Sequence, residues 1–195
     1  MGITQTDAAN VTLNVSAAQW NPNHNLWDIF SDFQVNVSGV SADNAIVVAA
    51  QTHVSQVGIS DTRANIQNNW DDLQAISSQL TGVTVTNNGA MTITSSQVVS
   101  DAGVLSQLSG TFSLSVTDAL VSDATSLQAM SNVSAIAIED TANNIANAIG
   151  TLNGLDKITS IAPTDSSTIE LTQAQFDANS VALSKISNQY TVTVV

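Results

Sequence analysis

The chain has 195 residues, 43% hydrophobic and only 10% charged, with no cysteine and 16 Asp+Glu against 3 Lys+Arg, a formal net charge of −13. That length buries a core without metal or disulfide staples. The charge repels nucleic acid and anionic lipid surfaces, and the lack of thiols excludes disulfide and thiolate chemistry. The longest apolar run, "AIVVAA" at 45 to 50, is far below the roughly 18 residues a membrane span needs. No membrane insertion is expected, and "MGITQTDAAN" at the start reads as no amino-terminal secretory signal.

In chain order, short runs alternating apolar with small polar residues end at Val15, Val37, Ile59, Ile93, Val116, Ile138, Leu171 and Val194. That alternation is the period of a strand with one buried face. Helical spacing fills the intervals, as in Trp20, Trp27, Phe30, then Val98, Leu105, Leu108, then Phe176, Leu183, Ile186. The strands recur every 22 or 23 residues, except that every third step is 33 or 34 and holds an extra extended piece, "VTVT" at 83 to 86 or "ITSI" at 158 to 161.

The longer beat is a repeat. "GISDTRANI" at 58 to 66 returns as "AIEDTANNI" at 137 to 145, a shift of 79 that carries Ile66 to Ile145, Trp70 to Ile149 and Leu73 to Leu152. "LNVSAAQW" at 13 to 20, "TITSSQV" at 92 to 98 and "IELTQAQF" at 169 to 176 match at 78. Residues 1–195 thus read as one repeat domain of about two and a half copies: 11–32 (partial), 33–111 and 112–195. The predicted fold is α/β, a solenoid of strand-helix coils with a parallel sheet on one side and helices on the other. The alternative is an open α/β sheet domain.

Candidate chemistry is sparse. Asp61 and Asp140 recur at one point of the repeat and could hold a cation, but Asp-Thr before an apolar helical segment is foremost a helix N-cap, and Asp118 follows its strand in the same way. No calcium loop or glycine-rich tandem is present, so no cofactor is expected and calcium would bind only through general acidity. The two histidines, His24 and His53, stand beside no nucleophile elbow or zinc pattern, and no catalytic residue is assigned. Candidate ligand residues are Trp20, His24 and Trp27 in "WNPNHNLWDIF", where Trp20, Trp27 and Phe30 also occupy core spacing. Thr191 and Thr193 are added from the outward Thr/Ser/Asn face of the strands.

The sequence "NQYTVTVV" ends within a strand that has no polar cap, which predicts either neighbouring repeats of a longer chain or head-to-tail assembly with other copies. The segments "DTANNI", "ITSI", "IELTQAQF" and "ALSKISNQYTVTV" resemble an α/β repeat found many times over in very long, acidic, Cys-free, adhesin-like bacterial proteins secreted to the cell surface. The similarity is close over 133 to 195, looser over 33 to 132, where "VTVTNNGAMTIT" replaces "ITSI", and limited to apolar spacing in the first 32 residues. It implies a structural or adhesive role outside the cell, with export by a one-step secretion system, and brings no catalytic residues. The expectation is therefore a structural repeat module of a bacterial surface or matrix protein, not an enzyme. The alternative is a module that binds glycan or another surface ligand.

Overall fold

The computed structural model of the chain describes residues 11–20, 33–165, 168–187 and 190–195. The strands, in chain order, are β1 (Val11–Ser16), β2 (Phe33–Val40), β3 (Val54–Asp61), β4 (Leu80–Val85), β5 (Ala90–Thr94), β6 (Leu108–Gly110), β7 (Ser113–Ala119), β8 (Val133–Asp140), β9 (Ile158–Pro163), β10 (Thr168–Leu171) and β11 (Thr191–Val194). Each of the eight alternating runs lies in one of them. The two extra extended pieces coincide with β4 and β9, apart from Thr86 just past the end of β4.

The fold is α/β, with open parallel sheets and helices in the connections. The chain groups into two compact units, residues 1–88 with 103–111, and residues 89–102 with 112–195. In the first unit the sheet order is β1-β2-β3-β4-β6, and in the second the sheets are β5-β7-β8-β9 and β10-β11. Every pairing is parallel. Parallel neighbours need a crossover between them, which the helical spacing of the intervening segments supplies.

The helices are α1 (Ala17–Trp20), α2 (Ala45–Ala49), α3 (Arg63–Asn68), α4 (Trp70–Ala75), α5 (Ser95–Ser100), α6 (Ala102–Gln107), α7 (Ala124–Ala129), α8 (Ala142–Asn153), α9 (Gln173–Ala178) and α10 (Ser180–Leu183). Most are shorter than the three turns the spacing suggests. The reason is local: α3 and α4 are divided at Asn69, whose Nδ2 donates to Asn65 O (2.9 Å) and Asp43 Oδ1 (2.6 Å). The matching position in the next copy is Ala148, and there the 12-residue α8 runs unbroken. The helix divides at an Asn whose side chain bonds both the backbone and a neighbouring turn, bonds that Ala in the next copy cannot make.

Side chains equivalent across the 79-residue shift are buried alike. Ile66 and Ile145, Trp70 and Ile149, and Leu73 and Leu152 all lie in the core, as do Val35 and Val37 of β2 with Leu114 and Val116 of β7. Both of those strands break register after the second of these residues, between Val37 and Val40 and between Val116 and Ala119. Gly39 (φ 72°) and Asp118 (φ 54°) take left-handed backbone there. The extra residue turns the strand so that Val40 and Ala119 face the core. This corrects the sequence expectation for Asp118, which is a strand residue in a bulge and not a helix cap. Asp is among the few non-glycine residues that tolerate that conformation.

Gly110, at φ 98°, closes β6 against β4, and a Cβ there would run into the Val85 carbonyl. Gly110→Ala is therefore expected to lose at least ~2 kcal/mol, because strained backbone and a main-chain clash fall on one residue. A urea titration of the two proteins measures the difference.

Candidate functional site

The recurring Asp-Thr pairs form the most elaborate polar arrangement in each unit. Asp140 ends β8, and its carboxylate accepts three hydrogen bonds: Oδ2 from Val121 N–H (2.9 Å), Oδ1 from Thr141 N–H (2.7 Å) and from Asn144 Nδ2 (2.8 Å). Asp61 ends β3 and repeats the set with Ala42 N–H (2.9 Å), Thr62 N–H (2.7 Å) and Asn65 Nδ2 (2.9 Å). The cap itself is the threonine: Thr141 Oγ1 accepts from Asn144 N–H and Thr62 Oγ1 from Asn65 N–H. The aspartate stands one residue earlier. It fastens its own helix start to the turn that opens the preceding helical segment, at Ala42 or Val121.

A second acceptor completes each helix start. Asn87 Oδ1 takes the Arg63 N–H (2.6 Å) and Asp165 Oδ1 takes the Ala142 N–H (2.8 Å), from matching turns one copy apart. A third recurring device is the capping box, in which a Ser or Thr and a Gln three residues on satisfy one another's backbone N–H. It occurs at Ser16–Gln19, Thr94–Gln97 and Thr172–Gln175, spaced by 78. Its S/T-x-x-Q signature is present in the three matched strings. The long reach of the aspartates leaves no local trace in sequence, because Ala42 and Val121 lie 19 residues upstream.

Partial burial of the Asp140 carboxyl works to raise its pKa. The hydrogen bonds from Val121, Asn144 and Thr141 together outweigh that and hold it below the ordinary value of 3.8. Asp156 is also lowered, first by its hydrogen bond from the Gln128 side chain, against some desolvation. A carboxylate whose pKa falls on folding contributes stability that is complete above the unfolded value and disappears as pH drops through the folded one. The contribution of Asp140 should therefore be constant above about pH 5 and vanish progressively below the unfolded value of 3.8. Urea midpoints at pH 6 and pH 3, compared between the wild-type chain and Asp140→Asn, check this: the gap between the two proteins should narrow in acid.

The two lysines are spent in the same way. Lys157 Nζ donates to the carbonyls of Gln128 (2.8 Å), in the last turn of α7, and Met130 (2.7 Å), just past its end, and Lys185 Nζ to Leu155 O (3.1 Å). Positive groups at helix carboxyl ends satisfy free carbonyls and complement the dipole.

The remaining candidates are scattered. Trp20 closes α1 at 4% exposed, so its ring is packed inside and is not a surface for stacking on a sugar. His24 and Trp27 lie outside the described residues. Thr191 and Thr193 are exposed on β11, opposite Thr168 and Glu170 of β10. His53 precedes β3 at φ 71°, stacks on Phe33 (4.4 Å between ring centres) and places Nδ1 3.1 Å from Phe33 O. It serves a turn.

Along the outward face, hydroxyls donate to carbonyls of the preceding strand at 3.2–3.3 Å, as from Ser38 to Val15, Ser134 to Leu114 and Thr159 to Ile136. Asn14, Asn36 and Ser55 link side chain to side chain across three strands (3.0 and 2.9 Å). An open groove in the second unit is lined by Asn143, Asn147, Asp165, Glu170, Thr172 and Gln175. There too Asp165 is engaged at Ala142, and Gln175 holds Thr172 N–H through Oε1 and Ala146 O through Nε2.

Among the described residues no three of His, Asp and Glu gather as a metal-ligand set, and no helix is long and apolar enough to cross a membrane. No protein-family model, no curated protein and no solved structure matches the chain.

Proposed function

We propose that the chain is a structural repeat module of a secreted bacterial cell-surface or extracellular-matrix protein, built as a solenoid of strand-helix coils and acting by self-assembly or as a spacer for adhesion. One observation carries this reading: the hydrogen-bonded fixtures recur at 78 or 79 residues, and their carboxylates, amides and hydroxyls are directed at backbone N–H groups. Asp61 and Asp140, Thr62 and Thr141, and the three capping boxes each close a helix start. Repetition of scaffold chemistry at a constant period is what a stacked array requires, since each coil must present the same surface to the next.

An acidic, cysteine-free composition suits an exported surface protein, and the resemblance of residues 133 to 195 to adhesin-like repeats points the same way. Sedimentation velocity of the purified chain over a hundredfold concentration range, with and without calcium, tests the assembly role. Growth in mass with concentration is the expected result. A chain that stays monomeric throughout would leave only the spacer role.

A further inference from the structure

We propose that Asn88 is a site of spontaneous covalent modification, at which the side-chain amide is lost to the backbone to give aspartate and isoaspartate, while the fold holds the chain's other Asn-Gly pair, Asn153-Gly154, unreactive. The sequence contains these two pairs. A glycine after asparagine leaves its N–H open to approach, because no Cβ shields it or narrows the torsions. By residue type alone the two pairs are equally liable to this chemistry.

The structure separates them. Asn88 lies in the exposed loop 86–89 that joins β4 to β5, outside any helix or strand. Thr86 N–H donates to Asp61 O (2.8 Å) and Asn87 Oδ1 accepts the Arg63 N–H (2.6 Å), so the chain is anchored up to Asn87. Beyond that, neither the Asn88 side chain nor the Gly89 N–H has a hydrogen-bond partner among the described residues. Gly89 sits at φ 134°, a conformation that glycine takes without strain.

Asn153 is the last residue of α8. Its Oδ1 accepts the N–H groups of Val181 and Ala182 (3.0 Å each), and the Gly154 N–H turns back to Thr151 O (3.1 Å). Attack requires the glycine nitrogen to reach the asparagine Cγ, which means rotating both the side chain and the backbone of the asparagine into a reactive geometry. At Asn153 that rotation breaks these hydrogen bonds and unwinds the helix end. At Asn88 it breaks none.

The reaction needs only water. The Gly89 nitrogen bonds to Asn88 Cγ, the Cγ–Nδ2 bond breaks, and ammonia leaves carrying the proton from the Gly89 N–H. Water then opens the succinimide ring. Opening at Cγ gives aspartate, and opening at the backbone carbonyl gives isoaspartate, whose main chain runs through the side-chain carbon. Either product adds a negative charge beside the Asn87 amide that closes the start of α3, and isoaspartate also lengthens the loop by a backbone carbon.

The test holds the purified, folded chain at mildly alkaline pH for weeks and follows both Asn-Gly peptides by proteolysis and mass spectrometry, with the urea-unfolded chain as reference. Unfolded, the two pairs should react at comparable rates. Folded, position 88 should convert to separately eluting aspartate and isoaspartate with release of ammonia, and position 153 should react at least about tenfold more slowly. Asn88→Gln, confirmed as folded by circular dichroism, should release almost no ammonia, because its longer side chain closes a less favoured ring. Equal rates at the two positions in the folded chain, an amide at 88 that outlasts the one at 153, or ammonia release from folded Asn88→Gln at the wild-type rate would each overturn the assignment.

Discussion

Replacing Asp140 by Ala should lower the unfolding free energy by about 2–4 kcal/mol, measured by urea denaturation at pH 7. The carboxylate is the acceptor for two backbone N–H groups, Val121 and Thr141, and for the Asn144 amide. Asp140 is only 7% exposed, so water does not readily replace it. Leaving a buried donor without a partner costs about 1–3 kcal/mol, more than the net gain from forming the bond. Asp140→Asn keeps one oxygen but turns an NH2 toward Val121 or Thr141, and should lose about half as much. Asp61→Ala should match Asp140→Ala within about 1 kcal/mol, since its three partners are the equivalents in the first unit. If the aspartates instead served a cation, their removal would abolish a calcium-dependent rise in stability, and the fold without calcium would be little affected.

The second large effect is expected at the packed face of α8. Ile145 is fully buried, on one face with Ile149 and Leu152. Ile145→Ala should cost about 2–5 kcal/mol, the sum of lost transfer energy and an unfilled cavity. Ile66→Ala, at the equivalent place in α3, should fall in the same range. The experiment is best read by far-ultraviolet circular dichroism, which follows the helix itself. A loss below about 0.5 kcal/mol would mean that α8 does not pack as described.

These effects show how unevenly the fold was written in the chain. Strands were legible because β-branched residues alternate with Ser and Thr over five or six positions, and the same face stays buried from β2 to β7. Helix length was not legible from apolar spacing: Asn69 and Ala148 occupy the same position, yet the helix divides at the first and runs on through the second. Asp118 misled for a related reason. Followed by an apolar stretch, it has the pattern of a cap, but its place is taken by Gly39 in the other copy, and only backbone geometry shows both as bulge residues.

The candidate site was half visible. Thr62 and Thr141 cap where local pattern put a cap, whereas the grip of each aspartate on a turn 19 residues away required the fold. Trp20 illustrates the limit of residue type as a guide to binding. An aromatic in a polar neighbourhood suggested a ligand surface, and its helical spacing suggested the core, where it is found at 4% exposed.

The account turns on the equivalence of the repeated coils, and excision of one register tests that most directly. Deleting residues 62–140 joins Asp61 to Thr141 and removes 79 residues, so β3 runs into α8 with the Asp-Thr-x-x-Asn fixture intact. Equivalent coils predict a shortened chain that is folded, with far-ultraviolet circular dichroism per residue close to the parent and one cooperative urea transition. A control deletion of residues 62–150, out of register, should not fold. An in-register deletion that is unfolded, or no better folded than the control, would contradict the account.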